Sequence, residues 1–468
     1  MTTTSILNNK RNVNEDQCYD ISGNVSKVNT GELRFEQAKH GFVPTRSSSY
    51  PRMQVGTSNA TRAMPRVKFA VDQERCVVLE NFQKRGWIQV DPENDWNVYW
   101  AGTGTCKNLF HGDNKYRFGD DQIINHFPTF YEISRKDNLV RNFKRYRREV
   151  EKQKHSPAPG CRQGPTPFLD FLPTSYVLPG DFNLFVEEFR RDPHTTWILK
   201  PSSKSQGSGI FLVNNLSKLR RWSQESKEPF NPKSLKENFV ISKYIDNPLL
   251  IGNKKFDLRM YVLPLKAYLY DHGFCRFCTV KYDTSIHKLD DLYVHLTNVA
   301  IQKHGLEYNS IHGGKLSVQN LRLFLEGTRG KPVTDKLFSN ISHLIVHTLK
   351  AVAPVMALDR HCFECYGYDI IVDNSLKPWL IEVNSSPSLI FTTESDRILK
   401  HRLVDDILSI VVPPNGVPNA RWSKRPSRDK MGGFQVLVDE EEQKCPNSVS
   451  GRTCARCNKS RTLARPWS

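Results

Sequence analysis

Apolar and polar positions alternate most regularly late in the chain. The stretch YGYDIIVDNSLKPWLIEVNSSPSL, from Tyr366 to Leu389, reads as strand, turn, strand. Asp369 lies on the first arm and Glu382 and Asn384 on the second. Residues two apart on a strand share a face, so Glu382 and Asn384 point together, while Ile381 and Val383 turn the other way, with Leu380 and Trp379 nearby, toward a core. KKFDLRMYVL alternates as strictly. It places Lys255, Asp257 and Arg259 on one face and Phe256, Leu258 and Met260 on the other. Trp197 to Leu199, Ile210 to Val213 and Phe239 to Ile241 are apolar runs that predict buried strands, and GFCRFCTVKY predicts a strand carrying Arg276.

A period near 3.6 marks the helices. In RKDNLVRNFKRYRREVEKQK, from Arg135 to Lys154, Leu139, Phe143, Tyr146 and Val150 share one face and Arg and Lys cover the rest. That basic face is either solvated or a docking surface for an acidic partner. FNLFVEEFRRD is amphipathic, and so is Ile341 to Leu358, where His343, His347 and Lys350 interrupt an apolar run that would otherwise suggest a membrane span. Order is expected to begin near Val67, where VKFAVDQERCVVLENFQKRGWIQV gives strand, helix, strand. Residues 1–66 are rich in Ser, Thr and Asn without a period and read as a disordered leader.

Composition narrows the class. The 468 residues, 38% hydrophobic and 10% aromatic, are those of a globular chain large enough for two or three domains. The 67 Lys+Arg against 49 Asp+Glu give +18, which points to an acidic partner: nucleic acid, an anionic membrane surface or an acidic protein. No nucleic-acid recognition module is legible, and MTTTSILNNK has no apolar signal region. Eleven cysteines spread thinly suit reduced thiols in the cytosol. Zinc is not expected. Cys275 and Cys278 face opposite sides of a strand, Cys362 and Cys365 lack a second pair, and the Cys445, Cys454, Cys457 group lacks a fourth ligand.

Three stretches carry candidate chemistry. One acid and one amide opposite a second acid can hold Mg²⁺ between protein and phosphates; the bland alternative for Asp369, Glu382 and Asn384 is a solvated hairpin. In WILKPSSKSQGSGIFLV, Lys200 ends a strand beside a loop with Gly207 and Gly209, able to surround phosphates with an ammonium and backbone N–H groups. The alternative there is a hairpin turn of small residues. Ser242 to Ile245 follows a buried strand and could line a base pocket with backbone amides. Further on lie HLTN, with Thr297 and Asn298, and HGGK, with Lys315.

KPSSKSQGSGI, KFDLR, GFCRFCT, HLTN and WLIEVNSSPSL, in this order across roughly Val67 to Val411, resemble the tubulin tyrosine ligase-like family. NHFPTFYEISRKDNLV, FNLFVEEFR, NPLLIG and HCFECYGYDI are most similar to its polyglutamylase branch, whose catalytic chain works in a multisubunit complex. The resemblance implies an α+β, ATP-grasp fold: a small N-terminal α/β domain at 67–165, a central lobe at 166–254 and a C-terminal lobe at 255–411. Beyond it, PPNGVPNARWSKRPSRDKMGG is rich in Pro, Gly and basic residues and either wraps or leaves the core, so 412–468 reads as a basic, mostly flexible tail. The resemblance implies ATP contacts from Lys200, Gln206, Gly207, Ser242, Lys243, Tyr244, Ile245, Lys255, Asp257, Thr297 and Asn298. Mg²⁺ would be held by Asp369, Glu382 and Asn384, free glutamate by Arg276 and Lys315, and the γ-phosphate faced by Arg259.

The implied reaction joins L-glutamate to γ-carboxyls in acidic tubulin tails through an acyl phosphate. Lys200 and Arg259 act in the phosphoryl step, on microtubules in the cytoplasm, cilium, flagellum and basal body. No membrane or nucleic acid is implied. Glycine or tyrosine as the added residue stays open, as does a catalytically weak microtubule-binding subunit. The latter is prompted by MYVLPLKAYLYDHGF, which is a few residues shorter at Leu263 and Pro264 than the family pattern and could displace Arg259 from Arg276.

Overall fold

A computed structural model describes residues 66–155, 169–217, 219, 237–264, 267–283, 285 and 288–437, in which helices pack on three sheets. The leader and the Cys445, Cys454, Cys457 group lie outside the described residues.

The first sheet is parallel, ordered β2-β1-β3-β4, and built from β1 (Lys68–Val71), β2 (Ile88–Gln89), β3 (Val98–Trp100) and β4 (Ile123–Ile124). The crossover from β1 to β2 is α1 (Cys76–Lys84), the strand, helix, strand expected from Val67 onward. Its Val77, Val78 and Phe82 bury against Phe69, Val98 and Ile123. Trp96 is buried in the main core.

The helix α2 (Lys136–His155) turns Leu139 and Phe143 into the main core, with Tyr146 and Val150 half-buried beside them. The four apolar positions therefore share the face that the spacing predicts. An antiparallel sheet follows, ordered β5-β8-β6-β7: β5 (Ser175–Leu178), β6 (Trp197–Pro201), β7 (Phe211–Val213) and β8 (Phe239–Lys243). Phe185 and Phe189 of α3 (Phe182–Arg191) pack on Trp197, Leu199 and Ile241 of this sheet.

The third sheet has eight strands, and β10 (Lys254–Leu263), next to β9 (Leu250–Ile251), is its hub. One edge of β10 pairs with β11 (Tyr268–Tyr270) and β12 (Phe274–Phe277), and β12 pairs with β13 (Lys315–Ser317). The other edge pairs with β14 (Tyr366–Val372), which pairs with β15 (Pro378–Asn384). Phe256, Leu258, Met260 and Val262 enter the main core under α4 (Val318–Arg329) and α5 (Lys331–Val352). The opposite face of β10 changes character along its length. Lys255, Asp257 and Arg259 are followed by Tyr261 and Leu263, which join the apolar cluster around α6 (Glu394–Val411).

Three expectations are corrected. The helix predicted over Ile341 to Leu358 ends at Val352, and a single 3₁₀ turn, Ala353–Val355, follows where Pro354 removes a donor. The tail read as flexible stays packed further: Phe434–Val436 forms β16 on the free edge of β11. Satisfying that edge and burying Phe434 outweighs the local Pro, Gly and basic bias. Ile381 does not turn away from Glu382. Leu380 pairs with Ile370 and Glu382 with Asp369, so Ile381 is the extra residue of a bulge, and strict alternation fails there.

Candidate active site

Strand register assembles the charged residues. Across β13, β12 and β10 the partners run Lys315, Arg276, Asp257. Across β10, β14 and β15 they run Arg259, Asp369, Glu382, with Asn384 opposite Gly367. Six chemical groups far apart in sequence thus form two adjacent rows on one sheet. The short hairpin at Leu263 does not disturb them. Val262 pairs with Leu269 and Leu263 with Tyr268, and Pro264 sits just past the strand, where its missing N–H matters little.

The rows are tied by buried ion pairs. Arg259 donates to both Asp369 oxygens, at 2.6 and 3.1 Å, and Arg276 reaches Asp369 at 2.8 Å. Arg276 also forms a fork with Asp257, its Nε 2.8 Å from Oδ1. Burial alone would raise the Asp369 pKa; the two guanidiniums win and hold it well below the usual carboxylate range.

Facing these rows, a cleft of about 820 Å³, open to solvent, runs between the third sheet and the antiparallel sheet. Of the seventeen residues singled out in the sequence, Lys200, Gln206, Gly207, Ser242, Lys243, Tyr244, Ile245, Lys255, Asp257, Arg276, Thr297, Asn298, Asp369 and Glu382 line it. Arg259 and Asn384 stand one bond behind, on Asp369. Lys315 is displaced: its ammonium contacts Asp396 at 2.6 Å and Thr392 at 2.9 Å rather than the cleft.

The loop between β6 and β7 is a hairpin turn, as its composition allows, and also a wall of the cleft. Gly207 has φ +80°, and a Cβ there would lie 2.5 Å from Ile301 Cδ1 and 3.4 Å from the Asn298 side chain. Glycine is what lets this loop lie on the Thr297–Asn298 segment. Lys200 beneath it is buried, and loss of water pushes its ammonium down to about 8 against the pull of Glu382. Lys255 is likewise pushed to about 8 by burial. It donates to Tyr244 Oη (2.8 Å) and to the His295 carbonyl (2.9 Å). Burial, then the Lys255 charge, lower the His295 pKa. Neutral His295 accepts from Tyr244 Oη through Nδ1 (2.8 Å) and donates from Nε2 to the Lys288 carbonyl (2.9 Å), which locks Lys255 in place.

One expected role narrows. The amides of Lys243 and Tyr244 bond to the carbonyls of Thr174 and Thr196, so neither is spare for a base. Ser242 to Ile245 borders the cleft otherwise, beside apolar walls from Ile198, Ile210, Leu296, Ile371 and Ile381. Lys136 was missed by sequence reasoning because it opens a helix full of basic residues. It bonds Glu382 at 3.0 Å and the Lys204 carbonyl at 3.0 Å, joining helix, loop and β15. Only its position, immediately before Asp137 at the helix start, sets it apart in the sequence.

The donor set suits Mg²⁺. Asn384 Nδ2 lies 3.4 Å from Asp369 Oδ2 and 3.4 Å from Glu382 Oε1, so one amide sits between two carboxylates. Turning that amide over presents its oxygen at the same point, completing three hard oxygen ligands. Cationic side chains stand opposite carboxylates across the cleft, with apolar walls between them.

Residues 113–420 match the Tubulin-tyrosine ligase family, and the chain belongs to that family. A Tetrahymena thermophila protein named "Probable alpha-tubulin polyglutamylase Ttll1" is 44% identical over 395 residues, covering 82% of this chain and 95% of its own. "Probable tubulin polyglutamylase TTLL9" of Bos taurus is 37% identical over 421 residues, 83% of this chain and 87% of its own. The Caenorhabditis elegans protein "Probable tubulin polyglutamylase ttll-9" is 36% identical over 368 residues, 77% and 82% of the two chains.

Proposed function

We propose that this protein is an ATP- and Mg²⁺-dependent ligase that adds L-glutamate to γ-carboxyls of glutamates in acidic tubulin tails. The observation that carries the reading is the double row of paired charges facing Lys200 and Lys255 across one cleft. The names of its relatives support the substrate. On this reading the antiparallel and eight-stranded sheets are the two ATP-grasp lobes, and the parallel sheet is the N-terminal domain.

The roles follow from charge and position. Lys200 and Lys255 hold the phosphate chain, and the Gly207 loop covers it. Lys136 keeps Glu382 oriented. Mg²⁺ bound by Asp369, Glu382 and Asn384 supplies neutralisation of phosphate charge. Arg259, fixed behind Asp369, faces the γ-phosphate as the acceptor carboxylate attacks phosphorus and ADP leaves. Arg276 orients the incoming glutamate, whose amine displaces phosphate to form the isopeptide bond; Lys315, held by Asp396 in this structure, joins it only by leaving that pair. The partners are microtubules of the cytoskeleton, including those of the cilium and basal body, and further subunits of a complex.

The test is incorporation of labelled glutamate into tubulin with ATP, Mg²⁺ and any partner subunits, against a Glu382→Gln control. Incorporation no higher than in that control rejects the proposal, and mass spectrometry of the tails reports the residue added. Glu382 is the better control than Asp369. Replacing Asp369 leaves Arg259 without its buried partner, a change that costs on the order of 3–5 kcal/mol of stability and confuses chemistry with unfolding.

A further inference from the structure

His126 sits outside the cleft, buried, and bonded at both ring nitrogens. Nδ1 lies 2.5 Å from Glu364 Oε1, and Nε2 lies 3.2 Å from Ser386 Oγ. Glu364 is fully buried and also accepts from the Phe127 amide at 3.5 Å. A carboxylate on Nδ1 fixes the tautomer that leaves Nε2 as an acceptor for the Ser386 hydroxyl.

The partners' places in the chain matter more than the bonds alone. Glu364 is two residues before β14, the strand of Asp369, and Ser386 is two residues after Asn384, the end of β15. Gly367 and Asn384 face each other at that end of the hairpin. His126 therefore closes the open end of the hairpin that carries Asp369, Glu382 and Asn384. Its own backbone is held from behind, by the Cys106 thiol donating to the His126 carbonyl at 3.5 Å and by Phe363 N–H donating to Ile124 at 2.9 Å.

We infer that His126 is a positioning residue for the metal hairpin: held by Glu364, it anchors Ser386 and thereby fixes Asn384 against Asp369 and Glu382. The inference rests on the reading of those three residues as metal ligands. A partner one step behind a ligand typically changes metal affinity by roughly 10–100-fold.

The probe is Mn²⁺ in place of Mg²⁺, titrated into the full chain with ADP and followed by the electron paramagnetic resonance signal of free Mn²⁺. ADP binding in excess chelator is measured in parallel. Ser386→Ala and His126→Ala are expected to weaken Mn²⁺ binding by roughly tenfold while metal-free ADP affinity stays as in the parent, and Ser386→Thr restores it. Should His126→Ala fail to fold, Ser386→Ala removes an exposed hydroxyl and still decides the matter. Glu382→Gln separates the two failures. If it weakens Mn²⁺ but Ser386→Ala does not, the positioning role is overturned. Should neither change Mn²⁺ binding, the metal assignment falls and the inference with it. Equal losses of metal-bound and metal-free ADP would show a merely structural role and also overturn it.

Discussion

Lys255, which the proposed function places on the phosphates, shows how burial makes a side chain sensitive to pH. Its ammonium, pushed to about 8 by loss of water, is partly neutral in mildly alkaline solution when the cleft holds no ligand. Phosphates favour the charged form, so nucleotide binding draws a proton onto Lys255 and onto Lys200, which shares the shift. Affinity is then expected to fall as pH rises through about 8. Stability of the free protein moves the other way. A base with a lowered folded pKa binds fewer protons than its unfolded form, so between about 8 and 10.5 these lysines make the fold more stable as pH rises. Calorimetry of ATP binding between about pH 7.5 and 9.5, in buffers of different ionisation enthalpy, measures the proton uptake. Lys255→Arg, which stays charged, is expected to reduce it. Pairing was hidden from the sequence at this scale. Alternation put Lys255, Asp257 and Arg259 on one face, but not that Arg259 and Arg276 converge on Asp369 or that Lys315 turns to Asp396.

Among the elements, the shortened hairpin between β10 and β11 is the departure that raised a catalytically weak subunit as an alternative. The register argues against displacement. Arg259 is fixed by Phe274 on one side and Asp369 on the other, several residues from the turn. Inserting two glycines between Pro264 and Ala267 is therefore expected to leave glutamate incorporation and nucleotide affinity within about twofold, since lengthening a flexible loop costs little. A tenfold loss would mean that the turn itself sets the site. Elements whose faces are simple were legible from sequence: β1, α1, β6, β10, β14 and the apolar stripe of α2. Two features depend on distant partners and were not. The bulge at Ile381 exists because β14 and β15 must offset one residue, and β16 forms because β11 leaves an edge free.

At the scale of the whole molecule, the +18 charge gains a specific meaning from the proposed substrate. The ion pairs of the cleft are internally matched, so they add little to long-range attraction. Exposed basic residues such as Arg147 and Arg148 on α2 face solvent and carry the field outward. An acidic tail approaching that field gains encounter rate, and salt removes the gain because the Debye length shortens from about 10 Å at 0.1 M to about 3 Å at 1 M. Buried pairs such as Arg259 with Asp369 are screened far less. Raising ionic strength is thus expected to raise the KM for tubulin steeply while leaving kcat and the KM for free glutamate nearly unchanged. Kinetics with intact tubulin and with tubulin stripped of its acidic tails, over a series of salt concentrations, would test this. A salt effect of equal size on glutamate would place the screened charges inside the cleft and reject the long-range account. An effect that persists without the tails would assign the basic surface to the microtubule body.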